Sequence, residues 1–148
     1  MKRRTTSALG LGVAALLALT ACSDNNVFDL SVGDCFDAPS DEDTFQVSSV
    51  PIVECSEPHD NEIYALFDME EDGDFPGDDA AVAAAEEGCL GRFEDFIGEP
   101  YETSIYFVGA LWPSADTWED GDREIVCYVN LGEGGGKLDP GSVEGAAE

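Results

Sequence analysis

Residues 80–97, AAVAAAEEGCLGRFEDFI, decide the fold. Val82, Ala85, Cys89, Phe93 and Phe96 follow one another at steps of 3, 4, 4 and 3, which places them on one face of a helix. Asp78 or Asp79 supplies an N-cap, and Gly98 lies just past the C-terminal end. Gly88 and Gly91 each weaken this helix by roughly 1 kcal/mol relative to Ala. A close backbone approach beside Cys89 accounts for both glycines. The buried stripe therefore carries a cysteine, and the helix needs a partner surface that carries another.

Downstream, Ser104 to Trp112 reads as a strand stopped by Pro113. A loop holding Trp118, Gly121 and Asp122 leads into a last strand, Arg123 to Asn130, whose Ile125, Cys127 and Val129 share a face. A Cys89–Cys127 bridge would bolt helix to sheet. Upstream, Glu62 to Phe67 alternates, with Ile63, Ala65 and Phe67 on one face and Tyr64 and Leu66 on the other. An acidic loop, Asp68 to Asp79, joins this strand to the helix. Val27 to Phe36 is expected as a first strand and Phe45 to Cys55 as a second, broken or bulged at Pro51. A hairpin of these two, turning near residue 45, sets Cys35 opposite Cys55. Ser56 to Asp60 is a bend. The expected fold class is α+β: a small antiparallel β-sheet with one main helix packed on a face, and two disulfides.

The N-terminus has a different character. Lys2, Arg3 and Arg4 precede an apolar run from about Ala8 to Leu19, the layout of a secretory signal peptide and too short for a spanning helix. Leu19-Thr20-Ala21-Cys22 resembles the lipobox of bacterial lipoproteins. That resemblance implies a diacylglycerol on the Cys22 thiol and cleavage after Ala21. An ordinary cleaved signal, with Cys22 as a disulfide thiol, is the competing reading. Removing residues 1–21 from 148 leaves 127, enough for one domain. We divide the chain into a signal peptide (1–21), a tether (22–30), a folded domain (31–131) and a disordered, Gly-rich acidic tail (132–148).

Charge narrows the partners. Past residue 21 the chain holds Arg92, Arg123 and Lys137 against 33 acidic residues, a formal charge of −30. Such a surface repels nucleic acid and anionic headgroups, so membrane attachment must come from the acyl chains on Cys22. With Cys22 acylated, Cys35, Cys55, Cys89 and Cys127 remain, an even number in an exported chain and a sign of two disulfides. Their spacings of 20, 34 and 38 residues, with no Cys-x-x-Cys pair, are not those of a zinc site.

Several small motifs accumulate along the chain: Gly33-Asp34-Cys35-Phe36, Val53-x-Cys55-x-x-Pro58-His59-x-x-Glu62, Cys89, and Pro113-x4-Trp118-x-x-Gly121-Asp122-Arg123-x3-Cys127. In this order, over about residues 31–130, they resemble the septum-formation domain of envelope proteins and lipoproteins of Gram-positive bacteria. The resemblance implies a place in the cell envelope and a link to septum formation. It brings no catalytic residues with it.

The chemistry-bearing residues are few. His59 is the single histidine. A thiol–imidazole pair with Cys55 is blocked if Cys55 is in a disulfide, since only a thiolate attacks. The simpler reading packs His59 at the bend, hydrogen-bonded to Glu62 or Asp60. Arg123 and Asp122, following Trp118, suggest an Arg–carboxylate clamp with the indole stacked on the guanidinium, or else a site for a ligand's carboxylate or phosphate. His59, Glu62, Trp118, Asp122 and Arg123 are thus the candidate polar site. Asp68-x-Glu70-x-Asp72-Gly73, with Asp79 twelfth, resembles an EF-hand loop, but Pro76 occupies the ninth position and a strand precedes it. Asp68, Glu70, Asp72 and Asp79 are therefore weak metal candidates, suited to delocalised binding of divalent cations. No cofactor or catalytic residue is assigned. The expected function is that of a non-enzymatic, lipid-anchored module at the outer face of the cell membrane. It binds an unknown envelope protein or wall component in cell division or wall assembly. A ligand- or cation-binding lipoprotein using loop 68–79 or the Arg123 region is the alternative.

Overall fold

The computed structural model describes residues 24–26, 29–38, 49–70 and 73–147. Cys22, Asp72 and the expected turn near residue 45 lie outside these. Six strands are present among the described residues: β1 (Asp24–Asn26), β2 (Cys35–Phe36), β3 (Ser49–Val53), β4 (Asn61–Asp68), β5 (Phe107–Leu111) and β6 (Glu124–Asn130). They form one antiparallel sheet in the order β1-β3-β2-β4-β6-β5. The main helix, α1 (Asp78–Ile97), packs on one face, and a short helix, α2 (Ala115–Glu119), sits before β6. The architecture is the expected α+β one.

The helix buries Ala81, Ala85, Cys89, Phe93 and Ile97, a stripe at four-residue steps, while Val82 and Phe96 lie at its margins. This stripe meets Ala65, Ile125, Cys127 and Val129 of the sheet. Its C-terminus ends as expected on Gly98 at φ 93°, whose N–H reaches Glu94 O. At the other end the N-cap is Gly77, with no side-chain cap, and Asp78 and Asp79 lie in the first turn, where their charge favours the dipole. Gly88 faces the Phe67 ring, which fills the space a Cβ would need; nothing crowds Gly91. Close approach explains only the first.

Both bridges form as read, Cys35–Cys55 and Cys89–Cys127. Closing separations of 20 and 38 residues, each stabilises the fold by roughly 3–4 kcal/mol on the chain-entropy account.

Four expectations need correction. First, the pairing of β4 with β6 shifts between Ile63 and Ala65, a β-bulge that inserts Tyr64. The bulge turns Ile63 to the face it shares with Leu66 and Val126, away from Ala65 and Phe67, so simple alternation fails there. Second, the described part of the segment expected as a tether is held to the domain: Asp24–Asn26 pairs with Pro51, Val50 and Ser49 of β3, and Leu30 is buried. Only Cys35–Phe36 of the expected first strand pairs as a strand near the domain, because Ser31–Asp34 is a turn with Gly33 at φ 91°. Third, the loop around Trp118 holds α2, started by a capping box in which Ser114 and Thr117 bond reciprocally. Fourth, the acidic tail is packed. Leu138 and Val143 are buried in the helix-side core, Leu138 N–H donates to His59 O (2.7 Å), and Gly145 and Ala147 bond the carbonyls of Phe96 and Ile97. Residues 137–147 form a strap across the start of β4 and the end of α1.

Candidate functional site

The candidate residues fall into two places at opposite ends of β4. Glu62 is the second residue of the strand and Asp68 the last, six residues or roughly 20 Å apart at strand spacing.

At the first end, antiparallel pairing sets Cys35 of β2 opposite Glu62, and the bend brings His59 beside them. All three are buried, and Cys35 Sγ, a Glu62 carboxylate oxygen and a His59 ring nitrogen lie within 4.8 Å of one another. His59 does not bond Glu62 or Asp60 as expected. The bend turns its ring onto the Glu57 carbonyl, 2.9 Å from Nδ1. A carbonyl only accepts, so Nδ1 carries the proton. Nε2, fully buried, has no hydrogen-bond partner among the described residues. The Glu62 carboxylate accepts from Ser142 Oγ (2.5 Å) and from Val143 N–H (2.8 Å), both on the strap. Asp60 is occupied otherwise, accepting from Ala38 N–H. Lys137 closes the rim against Asp37 (2.5 Å) and Asp60 (3.9 Å). The hydrogen bond to Asp37 raises its ammonium above the usual lysine range.

At the second end, Arg123 stacks on the Trp118 ring, 3.5 Å from guanidinium carbon to centroid. Its Nη1 donates to the carbonyls of Trp118 (3.0 Å) and Asp122 (2.6 Å). The stacking is as expected. The partners, however, are backbone oxygens rather than carboxylates, and Asp122 Oδ1 instead accepts from Glu124 N–H. Trp118 Nε1–H donates to Gly73 O (2.8 Å), and Phe75 packs edge-on against the indole. This clamp ties the acidic loop down. Burial, with Asp68 across the strand and Asp122 nearby, raises the Glu124 carboxyl above the usual range. Asp68 ends β4 and Asp79 lies in the first turn of α1, while Asp72 is outside the described residues. Among the described residues, the one metal-capable grouping is Cys35, His59 and Glu62.

Beside the Asp68 end a cavity of about 750 Å³ opens between β4 and α1, lined by Phe67, Asp68, Glu70, Glu87 and Arg92 among others. Arg92 lies 4.2 Å over the Phe67 ring and donates to Gly88 O, so its charge is held against the wall.

The strap, with the buried node beneath it, marks how far the domain extends along the chain. A family model described as septum formation matches residues 32–148. The chain belongs to the septum-formation family. No curated protein and no solved structure matches it. The septum-formation domain therefore runs through the segment read as a tail, past the boundary placed at residue 131. Ser142, Val143 and Lys137, all on that segment, are the polar partners that reading the sequence missed. The signal was present but faint: Lys137 is the single cation after residue 123, and Leu138 and Val143 are the large apolar residues among glycines.

Proposed function

We propose that this septum-formation domain is a non-enzymatic module of the cell envelope, anchored to the outer face of the cell membrane by acyl chains on Cys22, which binds a partner in division or wall assembly. The family match over residues 32–148 carries the link to septum formation. The lipobox at Leu19–Cys22 supports the anchor. No helix among the described residues is long and apolar enough to cross a membrane. A non-catalytic role is supported by the chemistry at the candidate nucleophile: Cys55 is bonded to Cys35 and offers no thiolate.

A binding role is supported by β5, an edge strand of the sheet, where Phe107 is 51% exposed and is flanked by Ile105 (68%) and Trp112 (39%). Unpaired strand backbone beside exposed aromatic side chains suits an added strand from another chain. A surface of charge −30 selects a basic partner segment. Crosslinking and pulldown from native membranes test this reading, with Cys22→Ser to separate anchoring from folding. The expected result is one envelope partner whose crosslink is lost with Phe107→Lys. A purified domain that hydrolyses wall fragments, and stops doing so in His59→Ala, refutes it.

The second reading, a ligand- or cation-binding lipoprotein, is favoured by the cavity beside Arg92, whose wall includes Asp68 and Glu70 of the acidic loop. Calorimetry with Ca²⁺ and wall fragments decides it: no saturable heat at millimolar ligand removes it.

A further inference from the structure

We propose that Cys35, His59 and Glu62 form a zinc-class metal site that the Cys35–Cys55 disulfide keeps closed and that reduction opens. The buried imidazole is the key to the site. A metal-bound histidine characteristically donates its other ring N–H to a carbonyl or carboxylate, which fixes the tautomer and aims the free lone pair. His59 is arranged in that way: Nδ1 is held by Glu57 O, and Nε2 is left buried without a partner. Leaving such an acceptor buried and unpaired forfeits its hydration unless something else occupies it.

The neighbours supply the rest of a coordination sphere. Cys35 Sγ and a Glu62 oxygen complete a set of three donor atoms within 4.8 Å of one another. Glu62 is oriented by two hydrogen bonds that it accepts from the strap, from Ser142 Oγ and Val143 N–H, and a carboxylate has acceptor capacity beyond those two. Thiolate, imidazole and carboxylate together suit Zn²⁺, which takes four ligands in a tetrahedron. The fourth position falls to water, as in open zinc sites: Cys55 Sγ is bonded to Cys35 but lies outside this three-donor grouping. Cross-strand pairing, the bend and the strap thus bring three donors to one point.

The disulfide is the gate, and the two bridges are not equivalent. Cys89 and Cys127 are both fully buried between helix and sheet, whereas Cys55 is partly exposed beside the surface residues Ser56 and Glu57. An external dithiol attacks Cys55 Sγ; the Cys35–Cys55 bond breaks, and its electron pair leaves on Cys35 Sγ. The second thiol of the reductant then resolves the mixed disulfide, so the reductant ends as a disulfide and the protein holds two thiols. Zn²⁺ displaces the Cys35 proton to the solvent as the Zn–S bond forms.

Cobalt(II) is the probe, because a thiolate ligand gives it a near-ultraviolet charge-transfer band. The full chain is titrated oxidised, after treatment with a phosphine, and as Cys55→Ser, which frees Cys35 without a reductant. We expect one equivalent of Co²⁺ with a thiolate band in the phosphine-treated and Cys55→Ser proteins, displaced by Zn²⁺. The oxidised chain should give no such band. His59→Asn should weaken binding by on the order of 100-fold, and Cys35→Ser with Cys55→Ser should abolish the band. The proposal is overturned if neither open form shows the band, or if the band is unaltered by His59→Asn. Loss of the native near-ultraviolet circular dichroism in both open forms overturns it equally, since the site needs the fold.

Discussion

The strap invites the most direct test. Leu138 is 1% exposed, packed in the helix-side core and tied to His59 O through its own N–H. Leu138→Ala removes three carbons from that site. At about 0.8 kcal/mol per buried CH₂ the transfer term is roughly 2.4 kcal/mol. A residual cavity adds to it, so about 3 kcal/mol is expected, within the range seen for buried Leu→Ala changes. Urea unfolding followed by tryptophan fluorescence reads this directly, because Trp118 lies in the same core cluster. With a slope of about 1.5 kcal/mol/M for a small domain, the midpoint should fall by roughly 2 M. Glu133→Ala, on an exposed position two turns of loop away, serves as the control and should leave the midpoint in place. A Leu138→Ala midpoint indistinguishable from that control would refute the claim that residues 137–147 belong to the cooperative unit.

Three further outcomes follow from the same contacts. Trp118→Phe removes the bond to Gly73 O and weakens the stack on Arg123, so it should cost about 1–3 kcal/mol and speed proteolysis within residues 70–77. Gly91→Ala should stabilise α1 by about 0.5–1 kcal/mol in thermal melts, since nothing opposes its Cβ, whereas Gly88→Ala should lose that gain to collision with the Phe67 ring. For Glu124, a carboxyl raised in the folded state binds its proton more tightly there than in the unfolded chain. Its stabilising effect is present below about pH 4 and is lost as pH rises through the folded value. Glu124→Gln should therefore melt higher than the parent at pH 7, and the difference should vanish in acid.

What the sequence discloses follows from how local each signal is. The helix and the last strand carry strong periodicity, and each holds a cysteine on its inner face, so the Cys89–Cys127 bridge is legible from pattern alone. Cys35–Cys55 is likewise legible from the expected hairpin of the first two strands. The bulge at Tyr64 is not legible, because its cause is tertiary: Tyr64 stacks near Phe96 and donates its hydroxyl to Cys89 O, and that pull outweighs regular pairing. Burial raises the same hydroxyl above the usual tyrosine range. The strap is hidden for another reason. Its composition is that of an unstructured segment, and its order comes from contacts with residues some 80 positions earlier, such as Glu62 with Ser142. His59 sits at the expected bend but bonds the Glu57 carbonyl rather than Glu62 or Asp60, because the choice between a side chain and a nearby carbonyl is set by the course of the bend.

The pairing of Asp24–Asn26 with β3 bears on how close such a domain would ride to a bilayer. Only Ser23 separates Cys22 from that strand, so an acylated Cys22 would leave a slack of about 7 Å at extended-chain spacing. That is less than the roughly 8 Å screening length of physiological salt. An anchored copy would hover where its own negative charge and that of the headgroups still feel each other. Its standing orientation, tilted or upright, would then shift with ionic strength and lipid composition.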